Sequence, residues 1–312
     1  MLATTLIRCA LVLLLLTVAL HAQAKLDLNN PDQALKAQQK IQCSLTDGKP
    51  ALFWWKGKVF SRVPGERDRH LFNVDGMNIR ACKSLNDPQK GYGYRLVSRE
   101  ILLYLDPETN QVLRRWKNPW TGKDVEVIHV ANDPVNQGPS FAQGRFKFNA
   151  TFKNGRFFQG IEVPLFYKNV LGGEYQDYVG GTYHAMEMFN FFGYEKDLLD
   201  ATKDTATDIS VSWHRIADWL PWMEMGDRAG VVIFHTAGLR LNSWDEMPDE
   251  VKTEVKQNWP TFQTAPPPDD PRPSMTSWDQ FKRWADAKKK NNRSLRSVLR
   301  WPTCTFLLAA YF

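Results

Sequence analysis

The sequence predicts a mainly β protein, an antiparallel meander curled into a barrel with short helices near its N- and C-terminal ends. Three observations predict it. Between Leu52 and Leu241, runs rich in aromatic and β-branched residues alternate with turn formers. No long helical pattern interrupts those runs. They amount to about nine or ten strands, enough that a sheet either splits into a sandwich or closes on itself, and closure removes unpaired edges. The expected form is a barrel of the lipocalin-like (calycin-like) kind.

The elements follow in order. Asn30 to Gln42 (NPDQALKAQQKIQ) reads as a short helix opened by Asn and Pro. ALFWWKGKVFSRV and HLFNVDGMNIR are the first strands, each interrupted by a glycine. RLVSREILLYL, the five residues Asp106 to Asn110 and QVLRRW read as a hairpin, with KDVEVIHVAND as the next strand. FKFNATFKNGRFFQGIEVPLFY carries Asn154-Gly155, a strong hairpin dipeptide. HAMEMFNFF is apolar almost all round if helical, but the glycines at 180, 181 and 193 favour a strand. TDISVSWHRIA and AGVVIFHTAGLRL complete the series. Past Leu241 the pattern turns helical, with a proline-rich linker around 265–271 and then SWDQFKRWADAKKK. The chain thus divides into a leader (1–24), one barrel domain (25–262) and a linker with a basic helical tail (263–312).

Composition narrows the function classes. The chain has 312 residues, 43% hydrophobic and 24% charged, which is ordinary for a globular protein. Arg8, the apolar run from Cys9 to Leu20 and Ala22-Gln23-Ala24 form a secretory leader with cleavage expected near Ala24, giving a periplasmic or extracellular protein. In that setting Cys43 and Cys82 are the expected disulfide, leaving Cys304 unpaired. The formal charge of +6 is local, because Asp279 to Arg300 holds eight Lys/Arg against two Asp. That tail fits a weak contact with an anionic envelope, and the near-neutral body argues against nucleic acid. Twelve tryptophans suit core walls and ligand clefts alike.

Strand alternation ranks the candidate site residues. A charge whose i±2 neighbours are apolar is expected to face inward, where it is paired or functional. Arg99 lies in line with Val97, Ile101 and Leu103. His129 follows Val125 and Val127, Arg215 follows Val211 and Trp213, and His235 follows Val231 and Ile233. Read as a strand, the 181–193 segment places Glu187 with Tyr183, Ala185 and Phe189. A histidine and a carboxylate in an apolar wall can move protons. Arginine forks hold carboxylates. Glu187 and His129 are therefore the candidate proton-transfer pair, with Arg99, Arg215 and His235 holding an anion and Trp54, Trp55, Trp213 and Trp219 as flat walls. The bland alternative is a structural ion pair, such as Arg215 with Glu187, and satisfied core histidines. His184 and Glu187 have metal-ligand spacing only in a helix, and Asp218 with Glu224 is a weak glycosidase pairing. No phosphate-loop, dinucleotide or zinc-protease motif occurs, so no cofactor is implied.

Three segments resemble a known family. SREILLYLDPETNQVLRRW, NPWTGKDVEVIHVANDPVN (Asn118–Asn136) and WLPWMEMGDRAG (Trp219–Gly230) are similar to the proteins grouped as domain of unknown function 1838. The resemblance spans Leu26 to Pro266 and implies one continuous domain, with no activity or catalytic residues to carry over. The basic tail after Arg293 does not share it. The expected function is an exported barrel binding an aromatic or lipid-like, anionic small molecule, either with cofactor-free acid–base turnover of the isomerase, dehydratase or lyase type or as a carrier. A carbohydrate-binding envelope module is the third reading.

Overall fold

The structure is a computed structural model that describes residues 24–168 and 182–298. The expected leader (apart from Ala24), Cys304 and the last residues of the basic tail lie outside the described residues. The first helix, α1, spans Pro31–Gln42. Its N-cap is Asn30, whose side-chain oxygen accepts from the Asp32 and Gln33 amides at 3.1 and 3.2 Å. Pro31 occupies the first turn, where its missing N–H costs nothing. Lys40 on this helix is fully buried, donating to the carbonyls of Asp197, Leu198 and Asp200 at 2.7–3.0 Å. Those three bonds tie α1 to a short second helix, α2 (Glu195–Leu199).

Nine strands form one antiparallel sheet. They are β1 (Ala51–Arg62), β2 (Arg69–Asp87), β3 (Gly91–Leu105), β6 (Val130–Phe141), β7 (Thr151–Lys153), β8 (Arg156–Lys168), β9 (Thr182–Tyr194), β10 (Ser210–Ala217) and β11 (Val231–Leu241). Their order is β6-β3-β2-β1-β11-β10-β9-β8-β7, and the sheet curls into a half-barrel. A meander closes by pairing its first strand with its last, and that pairing is made, Leu52 opposite Leu241 and Arg62 opposite Val231. The ends of the sheet are instead β6 and β7, consecutive in the chain but not laddered to one another among the described residues.

Curvature at the β1–β11 seam depends on glycine. A Cβ on Gly57 would lie 2.0 Å from the His235 carbonyl oxygen, and one on Gly238 would lie 2.0 Å from that of Trp54. The two backbones approach more closely than any side chain allows, which is how glycines bend a sheet. Two expectations about strands need correction. QVLRRW does not return along β3. It makes one bridge, Leu105 to Val112, and then β4 (Arg115–Lys117), which pairs with β5 (Asp124–Glu126) in a separate ribbon. KDVEVIHVAND is two elements, β5 and the start of β6, with His129 between them.

The two faces of the sheet are dressed differently. Over β1–β3 the outer face is covered by α3 (Asp249–Asn258) and the turn after it, whose Val251, Val255 and Phe262 pack on Met77, Ile101 and Leu103. Over β8–β11 the outer face leaves Phe158, Phe166, Ile216 and Leu239 exposed. The last helix, α4 (Ser277–Val298), buries Trp278, Phe281 and Ala285 in the cluster that holds Trp219 and Trp222. No helix among the described residues is long and apolar enough to cross a membrane.

Candidate ligand site

The inner face of the half-barrel encloses a cavity of about 490 Å³. Alternation places its wall. On β3, Leu96, Ser98, Glu100 and Leu102 face it, and on β2 so do Asn78 and Arg80. Facing them from β9 and β10 are Glu187, Phe189, Trp213 and Arg215. Val135 of β6 and Val163 of β8 line it too, so both flanks of the open sheet border the same space. Gln38 and Gln42 of α1 and Ser277 of α4 supply the remaining polar wall.

Aromatic groups make the middle of this wall. Trp55 and Trp213 meet edge to face with ring centroids 6.3 Å apart, and Phe189 stacks on Trp213 at 6.5 Å. Trp55 lies across Gly76 of the next strand, where a Cβ would come within 2.6 Å of the indole nitrogen. Neither indole N–H has a hydrogen-bond acceptor among the described residues.

Four charged groups share the cavity. Arg215 and Glu187 are cross-strand partners with Nε and Oε1 3.4 Å apart. The Arg215 guanidinium also donates to the Tyr183 hydroxyl. Burial opposes its charge, but Tyr183, Glu187 and Tyr104 outweigh burial and hold it above the ordinary value. Arg80 donates to Asn78 and Gln42, each at 2.7 Å. Burial lowers it to about 10, against the pull of Glu100 and Tyr94, so it stays charged at neutral pH. Glu100 accepts from Asn132 at 2.7 Å and faces the field of Glu187. Burial pushes its carboxyl above the ordinary range, Asn132 opposes this, and Glu187 adds to it.

A sequence profile for proteins of unknown function, DUF1838, matches residues 48–285. The chain belongs to the DUF1838 family. The match runs from just before β1 into α4, so the DUF1838 region takes in the start of the last helix as well as the sheet. No curated protein matches the chain.

Within this DUF1838 domain the expected site residues separate. Glu187, Arg215 and Trp213 come together at the cavity. Arg99 does not. Its stripe faces outward beneath α3, where it pairs with Asp133 at 3.0 Å and donates to the Thr261 and Thr264 carbonyls. His235 does not either, because the buried stripe of β11 is Val232, Phe234 and Thr236 and His235 is exposed on the outer face. Both stripes of β11 begin with apolar residues, so alternation alone could not choose between them. Trp219 is core packing, 5.1 Å from Trp120 with its N–H on the Arg228 carbonyl. Trp54 faces outward and donates to Asp75.

His129 is buried as its stripe implies, but away from the cavity. Its Nδ1 accepts the Tyr104 amide at 3.1 Å, and its ring stacks on Tyr104. The Cys43–Cys82 disulfide is formed. Alternation missed Glu100, although Leu96, Leu102 and Tyr104 flank it much as Val97, Ile101 and Leu103 flank Arg99. Strand β3 is buried on both faces, so apolar neighbours do not tell Glu100 from Arg99. Arg80, between Asn78 and Cys82, carries no such signal.

Two buried groups outside the cavity give opposite pH dependences. Burial and then the Arg114 charge lower His129 to about 4. Its folded value lies below the unfolded one, near 6.5, so its stabilisation is complete above pH ~6.5 and falls away toward pH ~4, by about 3 kcal/mol. Burial raises Asp75 to about 6, against its bond from Trp54. Its contribution is complete below pH ~4 and is lost as pH rises through ~6, again about 3 kcal/mol. The two oppose each other in the wild type. Urea midpoints measured from pH 4 to 7 are expected to rise toward acid in His129→Gln and to fall toward acid in Asp75→Asn. Slopes of the same sign in both variants would contradict the assignment.

Proposed function

We propose that the cavity binds an amphipathic organic anion with an aromatic or lipid-like body, in the manner of a lipocalin-like pocket. The observation that carries this is the wall itself, an aromatic cavity holding two guanidinium groups against one paired carboxylate and one carboxyl biased toward its neutral form. The balance of the wall is thus tilted toward positive charge, which favours an anion. Aromatic rings with a few convergent polar groups make up a typical small-molecule site. The leader and the Cys43–Cys82 bridge support an exported protein.

A second reading, acid–base turnover, is favoured by Glu100. Two carboxyl groups whose surroundings differ in one pocket divide into proton donor and acceptor. Glu100 replaces His129 as the partner of Glu187 in that reading, with Arg215 holding Glu187 in place.

The binding reading is tested with 1-anilinonaphthalene-8-sulfonate, an aromatic anion that fluoresces in apolar sites. One saturable site per chain is expected. Arg80→Gln should weaken it about tenfold, the loss of one charge-assisted contact of about 1.5 kcal/mol. Unsaturable binding, or binding indifferent to Arg80, would refute the proposal.

A further inference from the structure

On the outer face, away from the cavity, two histidines stand side by side. His214 of β10 and His235 of β11 are direct cross-strand partners. Their Nδ1 atoms lie 3.1 Å apart, and the rings are 25° from parallel with centroids 4.9 Å apart. His235 is exposed and His214 half-buried. A contact this short admits one proton between the two nitrogens, so one Nδ1–H donates to the bare Nδ1 of the other ring. Burial, and after it His235, holds His214 below its ordinary value, favouring the neutral imidazole that metals bind.

We infer that His214 and His235 form a two-histidine site for a late first-row divalent metal ion, with Cu²⁺ held most tightly. The spacing carries this. A metal about 2.0–2.1 Å from each imidazole nitrogen places those nitrogens about 2.9 Å apart at a right angle and about 3.3 Å apart at a tetrahedral one. The observed 3.1 Å lies between the two, so both rings reach one ion with small side-chain rotations. Loading requires only that the shared proton move from Nδ1 to Nε2 of the same ring, a change of tautomer that leaves both rings neutral and both Nδ1 lone pairs free. The ligands are imidazoles, which suit copper, nickel and zinc, whereas calcium and magnesium require oxygen donors.

The neighbours in the same row set the selectivity. The cross-strand partner of His214 on β9 is Met188, and that of His235 on β1 is Lys58. A thioether and an ammonium offer hard cations nothing, and no third His, Cys, Asp or Glu joins the pair among the described residues. The remaining coordination positions open to solvent, so the ion exchanges readily and can take a further ligand from another molecule.

The test uses the full chain, made without a polyhistidine tag and freed of metal by chelation and dialysis. Titration calorimetry with CuCl₂ is expected to show one ion per chain, with ZnCl₂ binding more weakly and CaCl₂ giving no heat. His214→Ala and His235→Ala should each weaken Cu²⁺ at least about tenfold, the usual effect of disturbing a metal site. His235→Gln should do the same, and thermal melts without metal should show all three variants folded. Arg80→Gln should bind Cu²⁺ like the wild type, which separates this site from the cavity. Wild-type affinity in either histidine variant, or no binding by the wild type, would overturn the inference.

Discussion

Arg215→Met is expected to lower stability by about 3–5 kcal/mol, because it strips the cationic partner from a carboxylate at the cavity wall. The Glu187 and Arg215 side chains are 22% and 18% exposed, and the pair spans adjacent strands at 3.4 Å. Without the guanidinium, Glu187 and the Tyr183 hydroxyl both lose a partner in a place where water replaces it poorly. The damage comes from the charge left behind. The double variant Arg215→Met/Glu187→Gln should therefore recover most of the loss. Urea unfolding of the wild type, both single variants and the double measures the coupling directly. A loss below about 1 kcal/mol in the single variant would mean that the pair is screened like a surface ion pair. The single variant should also lose the naphthalene sulfonate site, since its cavity loses the surplus of positive charge that favours an anion.

The second large effect belongs to the disulfide. Cys43 and Cys82 are both fully buried, 39 residues apart in sequence, with Cα atoms 6.0 Å apart. Closing a loop of that length restricts the unfolded chain by about 4 kcal/mol on the chain-entropy account. Cys43→Ser/Cys82→Ser, or reduction of the wild type, should lower the unfolding free energy measured in urea by that amount and shift the midpoint down accordingly. The bridge joins the end of α1 to the middle of β2. Its loss should thus also loosen the wall formed by Gln38, Gln42 and Arg80 and weaken anion binding. Equal midpoints for the oxidised wild type and the double serine variant would show that the bridge constrains nothing.

Much of the architecture was legible because its signals are local. The Asn-Pro start of α1, the Asn154-Gly155 hairpin and the strand at HAMEMFNFF all rest on residues within a few positions of each other. That β6 and β7 are not laddered to one another among the described residues was not legible, because strand counts and turn chemistry say nothing about which neighbours pair. The candidate site divided for a related reason. Alternation identifies residues that share a stripe, and it succeeded where only one stripe of a strand is lined with partners, as on β9 and β10. On β3 and β11 both stripes carry apolar residues. There the choice depends on whether α3 covers the outer face, a fact contained in a segment about 150 residues further along β3's chain than Arg99 and Glu100 themselves. His129 shows a third limit, since its burial was legible but not the break between β5 and β6 that directs it away from the cavity.

The seam between β1 and β11 has a consequence for how the protein is made. The chain emerges from its N-terminus, so β1, β2 and β3 can pair early by short hairpins. The free side of β1, however, must wait for Val231–Leu241, which follows every other strand of the sheet in the chain. Until then the centre of the future sheet is an edge carrying Phe53, Trp55 and Val59, residues suited to sticking to another chain. The glycines that let the two backbones close so tightly also leave that interval without a bulky side chain to block a wrong partner. Newborn chains of this protein are thus most vulnerable to aggregation in the middle of their own sheet, during the time between the third strand and the eleventh.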